Sequence, residues 1–210
     1  VMACNPVPDT NRFQDRFYPH ISGVARSYNF YPTGSATPEQ GVITLALGLG
    51  KTIVDGGVVW SYSPALPLAN PPVSSARDLL KLTQTTFWSV GMGKPPAHDP
   101  TRETEYLVQG DLSAAEFDGS LKFIASTYRA ADDRIVTGTG SDGPRVINFA
   151  PILRLDEIPL NKLIVDITRI CEDSLGSDVE IEFAVVLDPK QGLPARLGFL
   201  QVRPMVVTDA

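Results

Sequence analysis

Toward one end of the chain, EIEFAVV (180–186) is followed about a dozen residues later by GFLQVRP (198–204). In an extended strand, residues two apart share a face. Glu180 and Glu182 therefore point one way and Ile181 and Phe183 the other. The second segment repeats the arrangement, with Gln201 and Arg203 on the polar side and Leu200 and Val202 on the apolar side. Between them, DPKQGLPAR is rich in turn-forming residues, which predicts a β-hairpin. A chain carrying this pair must place an oily sheet face on a core and leave the other face bearing two carboxylates, a carboxamide and a guanidinium.

The rest of the sequence can supply that core. With 210 residues and 43% hydrophobic content, it suffices for one large domain or two small ones. No apolar run reaches the length of a membrane-spanning helix, and no signal-peptide pattern is present. A net charge of −6 argues against a nucleic-acid backbone as a general partner. Cys4 and Cys171 lie far apart and suggest neither a disulfide scaffold nor a zinc site, so a reducing cytoplasm is the expected location. The sequence opens on Val1, and it is expected to be a segment of a longer chain.

Strand signals outnumber helical ones. Pro and Gly interrupt short aromatic and β-branched runs over residues 1–40. GVITLALGLG reads as a buried strand ending in glycines, and KTIVDGGVV as a turning segment. SSARDLLKLTQTTFWSVG predicts a helix capped by Ser74 or Ser75, with Leu79, Leu80, Leu82, Phe87 and Trp88 on its face. Residues 119–153 read as two strands around TGTGSDG. The clearest helix is LNKLIVDITRICEDSL. Its Leu160, Leu163, Ile164, Ile167, Ile170, Cys171 and Leu175 recur at three- and four-residue spacing, with Asp156 and Glu157 at its start and Gly176 at its end. The fold class expected is α+β, a largely antiparallel sheet with packed helices.

Several motifs fail on inspection. LGLGKT lacks the first glycine of a phosphate loop, because that position is Leu45. It also lacks the third glycine of a dinucleotide fingerprint, because that position is Ile53. A tight turn after a buried strand remains, or a backbone-lined approach to a phosphate in another fold. His20 and His98 have no partners at a catalytic spacing and read as surface or turn-packing residues. The Arg26–Tyr28–Tyr31 group reads equally as a base-stacking platform or as the edge of the core. The hairpin is stronger. Strand carboxylates suit Mg²⁺, Gln201 can offer an oxygen to a metal or an amide proton to a phosphate, and Arg203 suits a phosphate oxygen. The plain alternative is cross-strand Glu–Arg pairing, at about 0.2–1 kcal/mol. One arginine neutralises only one of the two acids, and a cation would balance the other.

These residues also carry a resemblance. SLGSDVEIEFAV and GFLQVRP, behind an amphipathic helix, resemble the end of the ATP-binding domain of the phosphoenolpyruvate synthase and pyruvate phosphate dikinase family. SGVARSYNFYPTG (22–34) and ALGLGKTIVDGG (46–57) resemble two further family segments in the right order. Residues 60–155 carry little of the pattern and read as a divergent insertion. The resemblance implies an ATP-grasp fold, with residues 1–210 as the C-terminal portion of one nucleotide-binding domain. It implies ATP binding by Glu180, Glu182, Gln201, Arg203, Arg26, Gly48 and Gly50. It further implies Mg²⁺ coordination by Glu182 and Gln201, and phosphate-charge stabilisation by Arg203 as the catalytic group. Glu180 stands where the family has Asp, and Lys51 where it has Glu. The family's first-segment arginine aligns with Tyr28, or with Arg26 if two residues are inserted. The implied partners are ATP, a preceding N-terminal lobe and a phosphohistidine domain of the same parent chain, with no nucleic acid and no membrane. The implied activity is phosphorylation of a histidine on that other domain for transfer to pyruvate. The alternative is a nucleotide-sensing or interaction module derived from the same fold, without catalysis.

Overall fold

The computed structural model describes residues 16–69, 71, 73–93, 97, 99–101, 106–155, 158–187 and 195–207. The strands are β1 (Arg16–Phe17), β2 (Ile21–Arg26), β3 (Val42–Ala46), β4 (Trp60–Tyr62), β5 (Thr86–Gly91), β6 (Leu107–Asp111), β7 (Ala125–Arg129), β8 (Arg134–Thr137), β9 (Arg145–Ile147), β10 (Val179–Val186) and β11 (Arg196–Pro204). The helices are α1 (Lys51–Val54), α2 (Ala76–Leu79), α3 (Leu112–Phe117), α4 (Ala150–Leu155) and α5 (Leu160–Leu175). Among the described residues the strands form three antiparallel sheets, ordered β11-β10-β2-β3-β4, β1-β5-β6 and β8-β7-β9. The expected α+β class, dominated by antiparallel pairing, is what the chain adopts. No described helix is long and apolar enough to cross a membrane.

The five-stranded sheet follows the period-two logic. Ile21 and Ala25 of β2, Ile43 and Leu45 of β3, and Ile181, Phe183 and Val185 of β10 join one buried cluster, into which α5 sets Leu160 and Ile164. The middle of the chain contributes to the same cluster through Phe87, Ala114, Leu121, Ile147 and Phe149. Gly23 sits opposite Phe183 in the β2–β10 register, and the aromatic ring occupies the space a side chain would need. A Cβ there would come within 2.1 Å of the ring, a close approach typical of glycine in a strand interior.

Several local expectations give way to tertiary packing. The helix predicted across 74–91 shortens to α2, capped by the Ser75 hydroxyl, which accepts from the Asp78 N–H at 3.1 Å. Phe87 and Trp88 lie instead in β5, paired with β6, because the β-rich TTFWSV run finds a partner strand. Residues 119–153 hold three strands. β7 is central, and TGTGSDG joins its two neighbours rather than forming a hairpin between them. Helix α5 forms where its periodicity predicts and ends on Gly176 in the left-handed conformation. Its buried stripe is narrower than expected: Ile167 and Cys171 pack against the core, but Leu163, Ile170 and Leu175 are exposed. Asp156 and Glu157, like Cys4 and His98, lie outside the described residues. His20 is no surface residue. It is 1% exposed, its Nδ1 accepts the Leu187 N–H at 3.0 Å, and its ring meets Phe123 edge-on.

The glycine run after β3 makes a turn packed against β5. Gly48 has φ +83°, and a Cβ on it would lie 2.6 Å from the Trp88 carbonyl oxygen. That same oxygen accepts the Leu49 N–H at 2.9 Å. Gly50 has an ordinary helical conformation, and a Cβ would meet only Ser22 Cβ at 3.8 Å. Gly48→Ala should therefore destabilise the protein by roughly 2–4 kcal/mol, from left-handed strain plus overpacking. Gly50→Ala should stay within about 1 kcal/mol of the parent. Denaturant unfolding of the two variants distinguishes them; equal losses would contradict this account of the turn.

Candidate functional site

Register places the polar hairpin residues together. Glu180 lies opposite Arg203 and Glu182 opposite Gln201 in the β10–β11 pair, with Ile181 opposite Val202 on the core side. The pairing then shifts. Phe183 faces Phe199, and Leu200 becomes the extra residue of a bulge, exposed rather than on the apolar face expected for it. On the other flank of β10, Glu180 lies opposite Arg26 of β2. Arg26, Glu180 and Arg203 thus form a row across three adjacent strands.

This row departs from the charge count made on the sequence. Two arginines, not one, meet Glu180. Its Oε1 accepts from Arg203 Nε at 2.7 Å and from Arg203 Nη2, while Oε2 accepts from Arg26 Nε. The Glu180 side chain is 8% exposed, whereas the Arg26 and Arg203 side chains are 39% and 57% exposed. Burial, the largest single influence, pushes the Glu180 carboxyl up. Hydrogen bonds from Arg203 and then Arg26 outweigh it and hold the group below the usual carboxylate range. Each arginine keeps N–H groups directed away from Glu180.

A backbone brace holds this end of β2. The Ser27 hydroxyl donates to Asp178 Oδ1 at 2.8 Å and accepts the Val179 N–H at 2.9 Å. Nothing local in the sequence marks Ser27 and Asp178 as partners; only the β2–β10 pairing brings them together.

Glu182 is half-buried on the same face and forms no ion pair among the described residues, though it adds a Coulombic pull on Arg203. Directly opposed strand residues hold their Cβ atoms about 4.5–5.5 Å apart, so the Glu182 and Gln201 side chains start as cross-strand neighbours. Both Glu180 oxygens are engaged by arginine, which removes Glu180 from any donor set. No three His, Cys, Asp or Glu side chains gather among the described residues to cage a metal. The donors left are one carboxylate and one carboxamide oxygen. They fit Mg²⁺, which takes few protein ligands and completes its shell with water and phosphate oxygens.

The two glycines do not join this cluster. The Ser22 hydroxyl donates to the Gly48 carbonyl at 2.6 Å, which places the glycine turn beside the start of β2. Arg26 ends that strand, four residues and roughly 13 Å away at strand rise. Ser22, Val24 and Thr44, on the face between, are buried. Tyr28 packs edge-on against Phe30, and Tyr31 is exposed, so neither forms the edge of the core beside Arg26.

Replacing Glu180 with Gln leaves two arginines facing a neutral acceptor and should cost about 1–3 kcal/mol at pH 7. The folded carboxyl sits below the roughly 4.3 of an unfolded glutamate. The stabilisation is therefore complete above that value and is lost as pH falls through the depressed folded value. The melting-temperature gap between wild type and Glu180→Gln should hold steady from pH 8 to pH 6 and narrow toward pH 3. A gap independent of pH would refute the clamp.

Compared with known protein families and with curated proteins, the chain matches no family model and no curated protein.

Proposed function

We propose that the Arg26–Glu180–Arg203 row and the adjoining Glu182–Gln201 pair bind the phosphate tail of Mg·ATP. On this reading the chain is an ATP-grasp-like part of a phosphoenolpyruvate synthase-like phosphotransferase. The observation that carries the reading is the pairing of a buried carboxylate with two solvent-reaching arginines, next to a carboxylate with no arginine of its own. Glu180 acts as a positioning residue. It orders two long cationic side chains, so a phosphate meets them already aligned and less entropy is lost on binding. Arg203 and Arg26 present guanidinium N–H groups to phosphate oxygens, and Arg203, nearer Glu182, stabilises charge that builds on the transferred group. Glu182 and Gln201 would hold Mg²⁺, which supplies neutralisation of phosphate charge. The three sequence resemblances, in family order, support the same assignment. Gly48 and Gly50 have a structural part in it, shaping the turn between β3 and β5.

A second reading, nucleotide sensing without transfer, is favoured by the distance between the glycine turn and the charge row, which do not form one continuous phosphate cradle. In the longer chain implied by the resemblance, Glu182→Gln should abolish Mg·ATP-dependent phosphorylation of a histidine. Full phosphorylation in that variant would discard the transferase.

Nucleotide binding is tested separately. With ATP present, Mn²⁺ should broaden the amide signals of residues 180–184 and 201–203. Glu182→Gln should weaken that effect by about tenfold or more, the order expected for losing one charged oxygen ligand. Arg203→Lys, which keeps the charge but loses the planar fork, should weaken ATP binding by about threefold to tenfold. Broadening centred elsewhere, or insensitive to Glu182, would remove the basis of the proposal.

A further inference from the structure

A cavity of about 430 Å³ opens on the β8-β7-β9 sheet, a volume within the range of small-molecule sites. Its walls come from α2, the β7–β8 hairpin and α4, and it shares no residue with the charge row on the five-stranded sheet. Val73, Leu79 and Ile135 give it an apolar side, while Arg134 and Arg154 line it with positive charge. Asp133 is the one acid among the lining residues, and Arg134 Nε lies 3.9 Å from the Asp132 carboxylate beside it.

The decisive group is Asn148. It is 8% exposed and lines the cavity. Its Oδ1 accepts from the Ser126 hydroxyl at 2.9 Å and from the Ala150 N–H at 3.1 Å. A backbone N–H can only donate, so the amide orientation is fixed with oxygen toward Ala150. The Nδ2 group is thereby turned away from both partners, toward the cavity, and meets no acceptor among the described residues. The residue as a whole is nearly buried, yet this donor is not sealed off, and solvent or a ligand can reach it through the cavity. The backbone also accepts unusual conformations here: Asp133 and Phe149, which border Arg134 and Asn148, have φ of +50° and +53°.

We infer that this cavity is a binding site for a small organic anion. Its carboxylate or phosphate head accepts from Asn148 Nδ2 within the field of Arg134 and Arg154, and its hydrocarbon body lies on Val73, Leu79 and Ile135. The site is independent of the nucleotide reading, because its residues and its sheet are separate.

The test is a ¹H–¹⁵N titration of the protein with benzoate, phenyl phosphate and neutral benzyl alcohol. The anions should shift the Asn148 side-chain NH₂ and the amides of Leu79, Ser126 and Ile135, and the alcohol should not. Response to benzoate alone identifies a carboxylate site, and response to phenyl phosphate alone a phosphate site; either upholds the inference. Asn148→Asp keeps the acceptor for Ala150 and Ser126 but replaces the donor with a negative oxygen. It should weaken anion binding by about tenfold or more, as expected for losing a hydrogen bond to a charged group. Arg134→Gln, on an exposed hairpin where folding is not at stake, should weaken it by about threefold. Shifts confined to other residues, equal response to benzyl alcohol, or unchanged affinity in Arg134→Gln and in folded Asn148→Asp would overturn the assignment.

Discussion

The ion-pair row through Glu180 ties three strands that are distant in sequence. β2, β10 and β11 meet at Arg26, Glu180 and Arg203, and the carboxylate is shielded while the guanidiniums reach solvent. Burying a carboxylate alone would be prohibitive, and pairing with two hydrogen-bonded cations is what makes the position tenable. The same pairs penalise a slip of register, since a one-residue shift would send Glu180 into the apolar side among Ile181 and Phe183. Charge on one face and hydrophobic alternation on the other thus specify the same alignment.

The opposite face explains why the sheet is rigid enough to hold such a row. Gly23 admits the Phe183 ring, α5 covers Ile181 and Ala25 with Leu160 and Ile164, and the cluster continues through Phe87 and Phe149 to the other two sheets. Strands anchored in a close-packed interior change position only at a large cost in packing. Side chains on the outer face therefore project from fixed bases, and this is the condition for aligned arginines to act on a ligand.

Legibility in the sequence tracked how local the determinant was. The alternation in 180–186 and 201–203 placed Glu180, Glu182, Gln201 and Arg203 on one face correctly, because strand period is a property of the backbone. Helix α5 was legible from its spacing and Gly176, though the width of its buried stripe was not; Ile170 is 63% exposed because neighbouring elements cover only one side. Phe87 and Trp88 fitted a helical spacing as well as a strand, and only the presence of β6 decided between them. For His20 the sequence left surface and turn-packing roles open, and only burial excluded the first, because its partner, the Leu187 N–H, is remote in sequence.

By itself the sequence determined an antiparallel α+β chain with one strongly amphipathic helix and a hairpin bearing an oily and a charged face, since periodicity and turn chemistry act over a few residues. Tertiary structure alone decided that Arg26 joins Arg203 on Glu180, leaving Glu182 without an ion pair among the described residues. It also decided that Gly48 serves the turn against Trp88 rather than the charge row, and that Asn148 presents its amide to a cavity. Each of these depends on pairing between segments tens to more than a hundred residues apart, and such partners are chosen by the packing of the whole core.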